Sequence, residues 1–232
     1  MTGAETTMLR ARNPIDVSLY LVLDPELCGG EAGMVATAQA AAAAGATVVQ
    51  LRAPQWKKGQ WLRCAQALQA VLQPLGVPLI INDHADVALA VDAAGVHVGQ
   101  SDLPVAAVRA LLGPHKIVGL STNNLDNVAA LLTPEVAACI DYIGVGPVYP
   151  TTTKLDASPV IAPAEMQAMF AACPMPAVAI GGIKAGRVAP LLAAGADGVA
   201  VISAICGQPD VTQATHTLLA EMNAARAERS GN

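Results

Sequence analysis

The stretch Ile140-Asp141-Tyr142-Ile143-Gly144-Val145, running on into Gly146-Pro147-Val148-Tyr149-Pro150-Thr151-Thr152-Thr153-Lys154, decides how this chain folds. Its first six residues are a short, mostly apolar run closed by glycine and proline, which predicts a buried strand that breaks into a turn. The turn gathers three threonine hydroxyls and an ammonium, groups suited to holding an anion. Glycine there lets backbone approach a ligand closely. Taken alone, the segment reads more readily as a Thr-rich surface turn with a solvated lysine. The weight shifts because the same pattern, an apolar strand ending in chemically useful residues, recurs along the chain.

Working outward, strands are expected at Val17–Leu23, Thr47–Arg52, Pro78–Ile81, Gly95–Val98, Lys116–Leu120, Ile140–Val145, Pro176–Ile180 and Gly198–Ile202. Helical segments follow them: Gly33–Ala44, the Trp61, Ala65, Leu68, Leu72 periodicity, Val87–Ala90, Leu103–Leu112, Leu125–Leu132, Ala162–Ala172, Val188–Ala194 and Val211–Ala227. Apolar strands alternating with helices imply a parallel sheet covered by helices. Eight such units predict an α/β fold, a single (β/α)8 TIM barrel. A doubly wound open sheet is the alternative, weakened by the strand count and by the absence of G-x-G-x-x-G after the first strand. No linker divides the chain, so residues 1–15 are expected as an N-terminal arm and 16–232 as one barrel domain.

Composition bounds the function. The chain has 232 residues, 53% hydrophobic and 13% charged, enough for a large core and too apolar for general disorder. Aromatics are only 3%, so the core rests on Ala, Val, Leu and Ile. A net charge of −5, without a basic run, argues against a nucleic-acid partner while leaving room for a small anionic ligand. Five cysteines (Cys28, Cys64, Cys139, Cys173 and Cys206) are odd in number and widely spaced, unlike a disulfide framework or a zinc site. Cys64, Cys139 and Cys173 are expected as small buried hydrophobes. No secretory leader and no membrane-spanning stretch is evident, so a cytoplasmic protein is expected.

The strand ends carry the chemistry: Gln50 and Arg52, Asn82 and Asp83, Asp102, Ser121, Thr151 to Lys154, Gly181-Gly182 and Ile202-Ser203. In a barrel these ends converge on one face. Asp83, Asp102 and Ser121 also suit helix N-caps, but capping does not require acids and cations to share a rim. Glycines after strand seven and the Ile202-Ser203 turn suit a phosphate cradle using N–H groups at a helix start. Asp83 and Asp102 match the one or two carboxylates that Mg²⁺ takes from protein beside substrate phosphates. Arg52 and Lys154 suit a departing pyrophosphate. Two phosphorylated substrates follow from that division. Among the histidines, His97 is expected in or near the core, His84 in a local hydrogen bond or against substrate, and His115 and His216 at the surface. No Ser-His-Asp or Cys-His arrangement is evident.

The set Gln50-Leu51-Arg52, Asn82-Asp83, Gly95 to Asp102, Gly119-Leu120-Ser121-Thr122, Gly144 to Lys154 and Ala179 to Ile183 resembles the thiamine-phosphate synthase family, in order, over about residues 17 to 206. The resemblance implies a barrel that joins hydroxymethylpyrimidine diphosphate to a thiazole phosphate, releasing pyrophosphate. It implies Mg²⁺ on Asp83 and Asp102, and the pyrimidine diphosphate on Gln50, Arg52, Asn82, Ser121 and Lys154. Thr151, Thr152, Thr153, Gly182, Ile202 and Ser203 would hold the thiazole phosphate. Arg52, Ser121 and Lys154 would be the catalytic set in a dissociative substitution, with small-molecule substrates, no membrane partner and a possible homo-oligomer. Two departures stand out: Pro54 where the family usually has lysine, with Lys57 or Lys58 as substitutes, and Asn123 where it often has histidine. A thiazole tautomerase and a non-catalytic phosphate-binding paralogue are the competing functions.

Overall fold

The computed structural model describes residues 13–151, 153 and 159–230. Eight parallel strands, β1 Leu19–Leu23, β2 Val48–Leu51, β3 Leu79–Asn82, β4 Gly95–Val98, β5 Ile117–Thr122, β6 Tyr142–Val145, β7 Ala177–Ile180 and β8 Gly198–Val201, close in sequence order. Closure is made by β1 pairing with β8, Tyr20 opposite Ala200. The helices are α1 Pro25–Cys28, α2 Glu31–Ala43, α3 Lys58–Leu72, α4 Ala85–Ala90, α5 Val105–Leu112, α6 Leu125–Ala130, α7 Pro134–Ala137, α8 Pro163–Ala172, α9 Ala189–Ala193 and α10 Val211–Ser230. The expected TIM barrel is the observed fold, and the open-sheet alternative falls away. Among the described residues, no helix is long and apolar enough to cross a membrane.

Successive strand residues point to opposite faces of a sheet, and two cores result. Leu19, Leu21, Leu23, Val49, Leu51, Leu79, Ile81, Val96, Val98, Val118 and Leu120 face outward into a shell shared with the helices. Tyr20, Val22, Val48, Ile80, Tyr142, Val178 and Ala200 face inward and fill the barrel. Space inside is tight enough to dictate residue type. A Cβ on Gly119 would lie 2.2 Å from the Tyr142 ring and 2.5 Å from His97 Nδ1, so only glycine lets both rings lie beside β5.

The element ends differ from the sequence expectation for local reasons. The helix expected from Leu103 starts at Val105, with Pro104 at its N-cap, and α2 begins two residues earlier than expected, at Glu31. The short helices α1 and α7 each begin with a proline, a favoured first-turn residue, and were not expected. In α1 the Asp24 carboxylate caps the N–H groups of Glu26 and Leu27 at 3.0 Å. Cys64 and Cys173 are buried as expected, whereas Cys139 is half-buried, its thiol donating to the Glu135 carbonyl at 3.1 Å. Burial, with a smaller contribution from the Glu31 carboxylate, pushes the Cys64 thiol up to about 12. His115 and His216 are exposed.

The opposite end of the barrel carries a buried ion pair. Arg109 Nη2 meets Asp141 Oδ2 at 2.6 Å, and Arg109 also donates to the carbonyls of Gly113, Lys116 and Cys139. Asp141 further accepts from the Val118 N–H and from Asn13 Nδ2, so the pair ties α5, β5 and the start of β6 together. Residues 1–12 of the expected arm lie outside the described residues, while Asn13 and Ile15 pack against this end. Removing one partner of a buried pair leaves the other charge uncompensated. Arg109→Ala is therefore expected to lower unfolding free energy by about 3–5 kcal/mol in urea titration. Because the pair lies away from the strand C-termini, the folded fraction should keep its ligand affinity.

Candidate active site

A cavity of about 580 Å³ opens at the C-terminal ends of the strands. From β2 to β5 it is lined by Gln50, Arg52, Asn82, Asp83, Asp102 and Ser121, and from β6 to β8 by Thr151, Thr153, Gly182, Ile202 and Ser203. The structure thus brings together every sequence-predicted site residue that it describes. Thr152 and Lys154 lie outside the described residues. Brief polar punctuation at the end of each apolar strand is what sets these side chains on one rim.

The capping alternative does not hold for the acids. The helix after β3 starts at Ala85 with His84 at the N-cap, and the helix after β4 is entered through Pro104. Ser121 lies inside β5, and the following helix is capped by Asn124, whose side chain accepts from the Asn127 N–H at 2.8 Å. Asp83 instead has φ +60°, a left-handed conformation unusual for a residue other than glycine. Its N–H donates to the His97 carbonyl at 2.8 Å, and its Oδ2 accepts from Asn82 Nδ2 at 2.6 Å. Asp102 Oδ2 accepts from the Gly99 N–H at 2.8 Å. Each carboxylate therefore has an oxygen oriented by a neutral donor. Among the described residues no group of three or more His, Cys, Asp or Glu side chains forms a dedicated metal cage.

The loops after β6 and β7 are stapled to each other. The Val148 and Tyr149 N–H groups donate to the Ile180 and Gly181 carbonyls at 2.9 and 3.0 Å. Arg187 stacks over the Tyr149 ring at 5.0 Å and donates to the Gly182 carbonyl at 3.1 Å. One part of the sequence expectation needs correction. The N–H groups entering α9, at Val188 and Ala189, donate to Glu221 Oε1 of α10 at 2.7 and 3.1 Å. That helix start is already occupied, which leaves the turn at Gly182 and the turn at Ile202-Ser203 for any anion.

Inside the barrel, below the rim, lies a polar chain that sequence reasoning missed in part. Gln50 Nε2 donates to the Tyr20 hydroxyl at 2.8 Å, and the Tyr20 and Tyr142 hydroxyls are 2.7 Å apart. His97 Nδ1 is 2.9 Å from the Tyr142 hydroxyl, and Nε2 is 2.9 Å from Ser121 Oγ. Tyr20, His97 and Tyr142 all line the cavity. Burial raises both phenols well above their ordinary range, so they stay protonated. The signal available in sequence was the inward phase of Tyr20 and Tyr142 within apolar strands.

The departures also acquire positions. Pro54 and Asn123 both line the cavity. Lys58 is engaged by Asp86 at 2.7 Å, and neither it nor Lys57 reaches the lining. His84 packs edge-on against Trp61 at 4.6 Å rather than facing the cavity, and burial together with Lys58 holds its imidazole below the usual range. None of the four ion pairs among the described residues involves Arg52, whose guanidinium lines the cavity.

A closed parallel barrel with its polar cavity on the C-terminal rim places the chain among the (β/α)8-barrel enzymes. Comparison with known proteins narrows this. The thiamine monophosphate synthase family model matches residues 19–205. A thiamine-phosphate synthase of Laribacter hongkongensis is 54% identical, covering 89% of this chain and 95% of that protein. One from Xanthobacter autotrophicus is 48% identical, covering 92% and 99%. The solved thiamine phosphate pyrophosphorylase of Pyrococcus furiosus superposes with a TM-score of 0.80 at 31% identity, covering 90% of this chain and 97% of that one. The chain belongs to the thiamine-phosphate synthase family and is a transferase.

Two glycines offer a test of the stapled loops. A Cβ on Gly182, at φ +65°, would lie 2.4 Å from the Pro150 carbonyl oxygen, whereas Gly186, at φ +83°, has open space around it. Both alanine variants bear the left-handed strain, about 1–2 kcal/mol. Only Gly182→Ala is expected to lose about 1–3 kcal/mol beyond that from overpacking, read by urea unfolding.

Proposed function

We propose that this enzyme joins an aminopyrimidine-methyl diphosphate to a thiazole phosphate, giving thiamine phosphate and pyrophosphate. The observation that carries the proposal is the sharing of one cavity by Arg52, Asp83 and Asp102 with the Gly182 and Ile202-Ser203 turns. It is supported by the relatives, which are thiamine-phosphate synthases. On this reading Gln50, Asn82 and Ser121 orient the pyrimidine, and Arg52 and Lys154 bind its diphosphate. Thr151, Thr152, Thr153, Gly182, Ile202 and Ser203 anchor the thiazole phosphate.

Asp83 and Asp102 fit a divalent cation shared with substrate. Two carboxylates, each steadied by a neutral donor, would hold a Mg²⁺ ion beside the substrate diphosphate. When bound there, Mg²⁺ would offset charge on the diphosphate. The bond between the pyrimidine methylene and the diphosphate oxygen breaks first, and both bonding electrons leave with pyrophosphate. Arg52 and Lys154 hold that growing charge. The electron-rich aminopyrimidine spreads the positive charge left on the methylene. The thiazole nitrogen, fixed by its phosphate anchor, then donates its lone pair to form the new C–N bond. That nitrogen carries no proton, so no general base is required, in keeping with a site where positioning and electrostatics dominate.

The test is pyrophosphate release from purified enzyme with both substrates and Mg²⁺, omitting each in turn. Release that requires all three, with thiamine phosphate formed in step, is the expected result. Binding of the thiazole phosphate without release would overturn the synthase reading in favour of a tautomerase or a binding-only protein. Arg52→Ala is expected to lower kcat by roughly 10²–10³-fold, the scale for losing a group that stabilises developing charge. Arg52→Lys should restore only part of it, since the bidentate fork is lost.

A further inference from the structure

The polar chain inside the barrel has a direction. Each phenol and hydroxyl carries one proton, and a neutral imidazole carries one for its two nitrogens. Gln50 Nε2 donates to Tyr20, so the Tyr20 proton goes to Tyr142, its only other neighbour in the chain. With His97 as the neutral imidazole, the Tyr142 proton then goes to Nδ1, and Nε2 carries its proton toward Ser121 Oγ. In this sense the two ends carry opposite character. Both line the cavity, and the chain leaves the Gln50 carbonyl oxygen and the Ser121 proton for it. The reverse sense would satisfy the same distances only with the Gln50 amide turned over and the His97 proton moved to Nδ1, exchanging donor and acceptor at both ends together.

Three features hold the chain as a unit. Tyr20 and Tyr142 are fully buried, so neither hydroxyl has bulk water as an alternative partner. Burial keeps both phenols neutral, so each retains a proton to pass on. Gly119 gives the Tyr142 and His97 rings the space to meet. Chains of this kind polarise along their length, and breaking one bond disturbs the others.

We propose that Tyr20, Tyr142 and His97 are positioning residues that lock Gln50 as an acceptor and Ser121 as a donor, so that the barrel interior selects a ring bearing an amino group opposite Gln50. The proposal rests on the pyrimidine assignment made above and adds the device that enforces it. A packing role alone would fill the barrel equally well with phenylalanine at position 20 or 142 and would couple nothing.

Two measurements test it. In ¹⁵N-labelled wild-type enzyme without ligand, long-range ¹H–¹⁵N correlation should find His97 protonated at Nε2 and bare at Nδ1. A proton on Nδ1 would overturn the assigned direction. Then kcat/KM is compared for the aminopyrimidine diphosphate and an analogue with oxo in place of amino. Wild-type enzyme should prefer the amino compound, and Tyr20→Phe should shrink that preference by ~10-fold, the worth of one or two hydrogen bonds. Tyr142→Phe should do the same, and the double variant should do no more, since either substitution breaks the same chain. Preference unchanged in the folded single variants, or effects that multiply in the double variant, would overturn the proposal while leaving the synthase reading intact. A wild-type enzyme that turns over neither compound overturns both readings.

Discussion

The constraint on which the rest depends is the two-residue period of eight strands closed into a barrel. Once Leu19, Leu21 and Leu23 are committed to the helical shell, Tyr20 and Val22 have no place but the interior. The same phase carried round the barrel puts Gln50, His97 and Ser121 inside, at the ends of otherwise apolar strands. Polar groups placed there must find partners or lose the hydrogen bonds they had in water. They find one another, and Gln50 and Ser121 also line the cavity. Packing and recognition are in this sense one problem, solved by the same side chains.

The two ends of the barrel divide the labour. Arg109 and Asp141, buried at the N-terminal end, satisfy each other and several backbone groups, so their charges are spent on connecting elements. At the C-terminal end the acids are oriented by Asn82 and the Gly99 N–H and line the cavity. The left-handed backbone at Asp83 belongs to the same arrangement. Its N–H reaches back to the His97 carbonyl, so the conformation is held by β4 while the carboxylate is directed to the rim.

Much of this was legible in the sequence, for a physical reason. Short apolar runs with Gly, Pro or polar ends report strand existence strongly, and eight of them separated by helical spacing leave few topologies. Gln50, Asp83, Asp102 and Gly182 were legible because each stands at or within a few residues of the C-terminal end of an apolar run. The chain through Tyr20 and Tyr142 was harder to see, because tyrosine in an apolar strand looks like core until its hydroxyl's partner is known. That partner lies 122 residues away. Glu221 illustrates the same limit. Its bonds to Val188 and Ala189 cross more than thirty residues, so nothing local in α9 reveals that its N-terminus is already occupied.

A protein of net charge −5 that is proposed to hold two phosphorylated ligands must rely on local fields rather than on its overall charge. The structure is suited to that. Lys58, Lys116 and Arg109 are paired with aspartates, while Arg52 faces the cavity and takes part in none of these pairs. Around it the donors are amides, hydroxyls and turns whose directions are set by the fold. Preorganised dipoles of this kind need no rearrangement when charge develops, and in a partly enclosed cavity their effect is larger than in water. The hydrogen-bonded chain through Tyr20, Tyr142 and His97 extends the same economy to the proposed pyrimidine ligand. On the proposed reading it supplies one acceptor and one donor to that ligand. A site proposed to release pyrophosphate gains from this arrangement, because each cation added to tighten binding would also slow release.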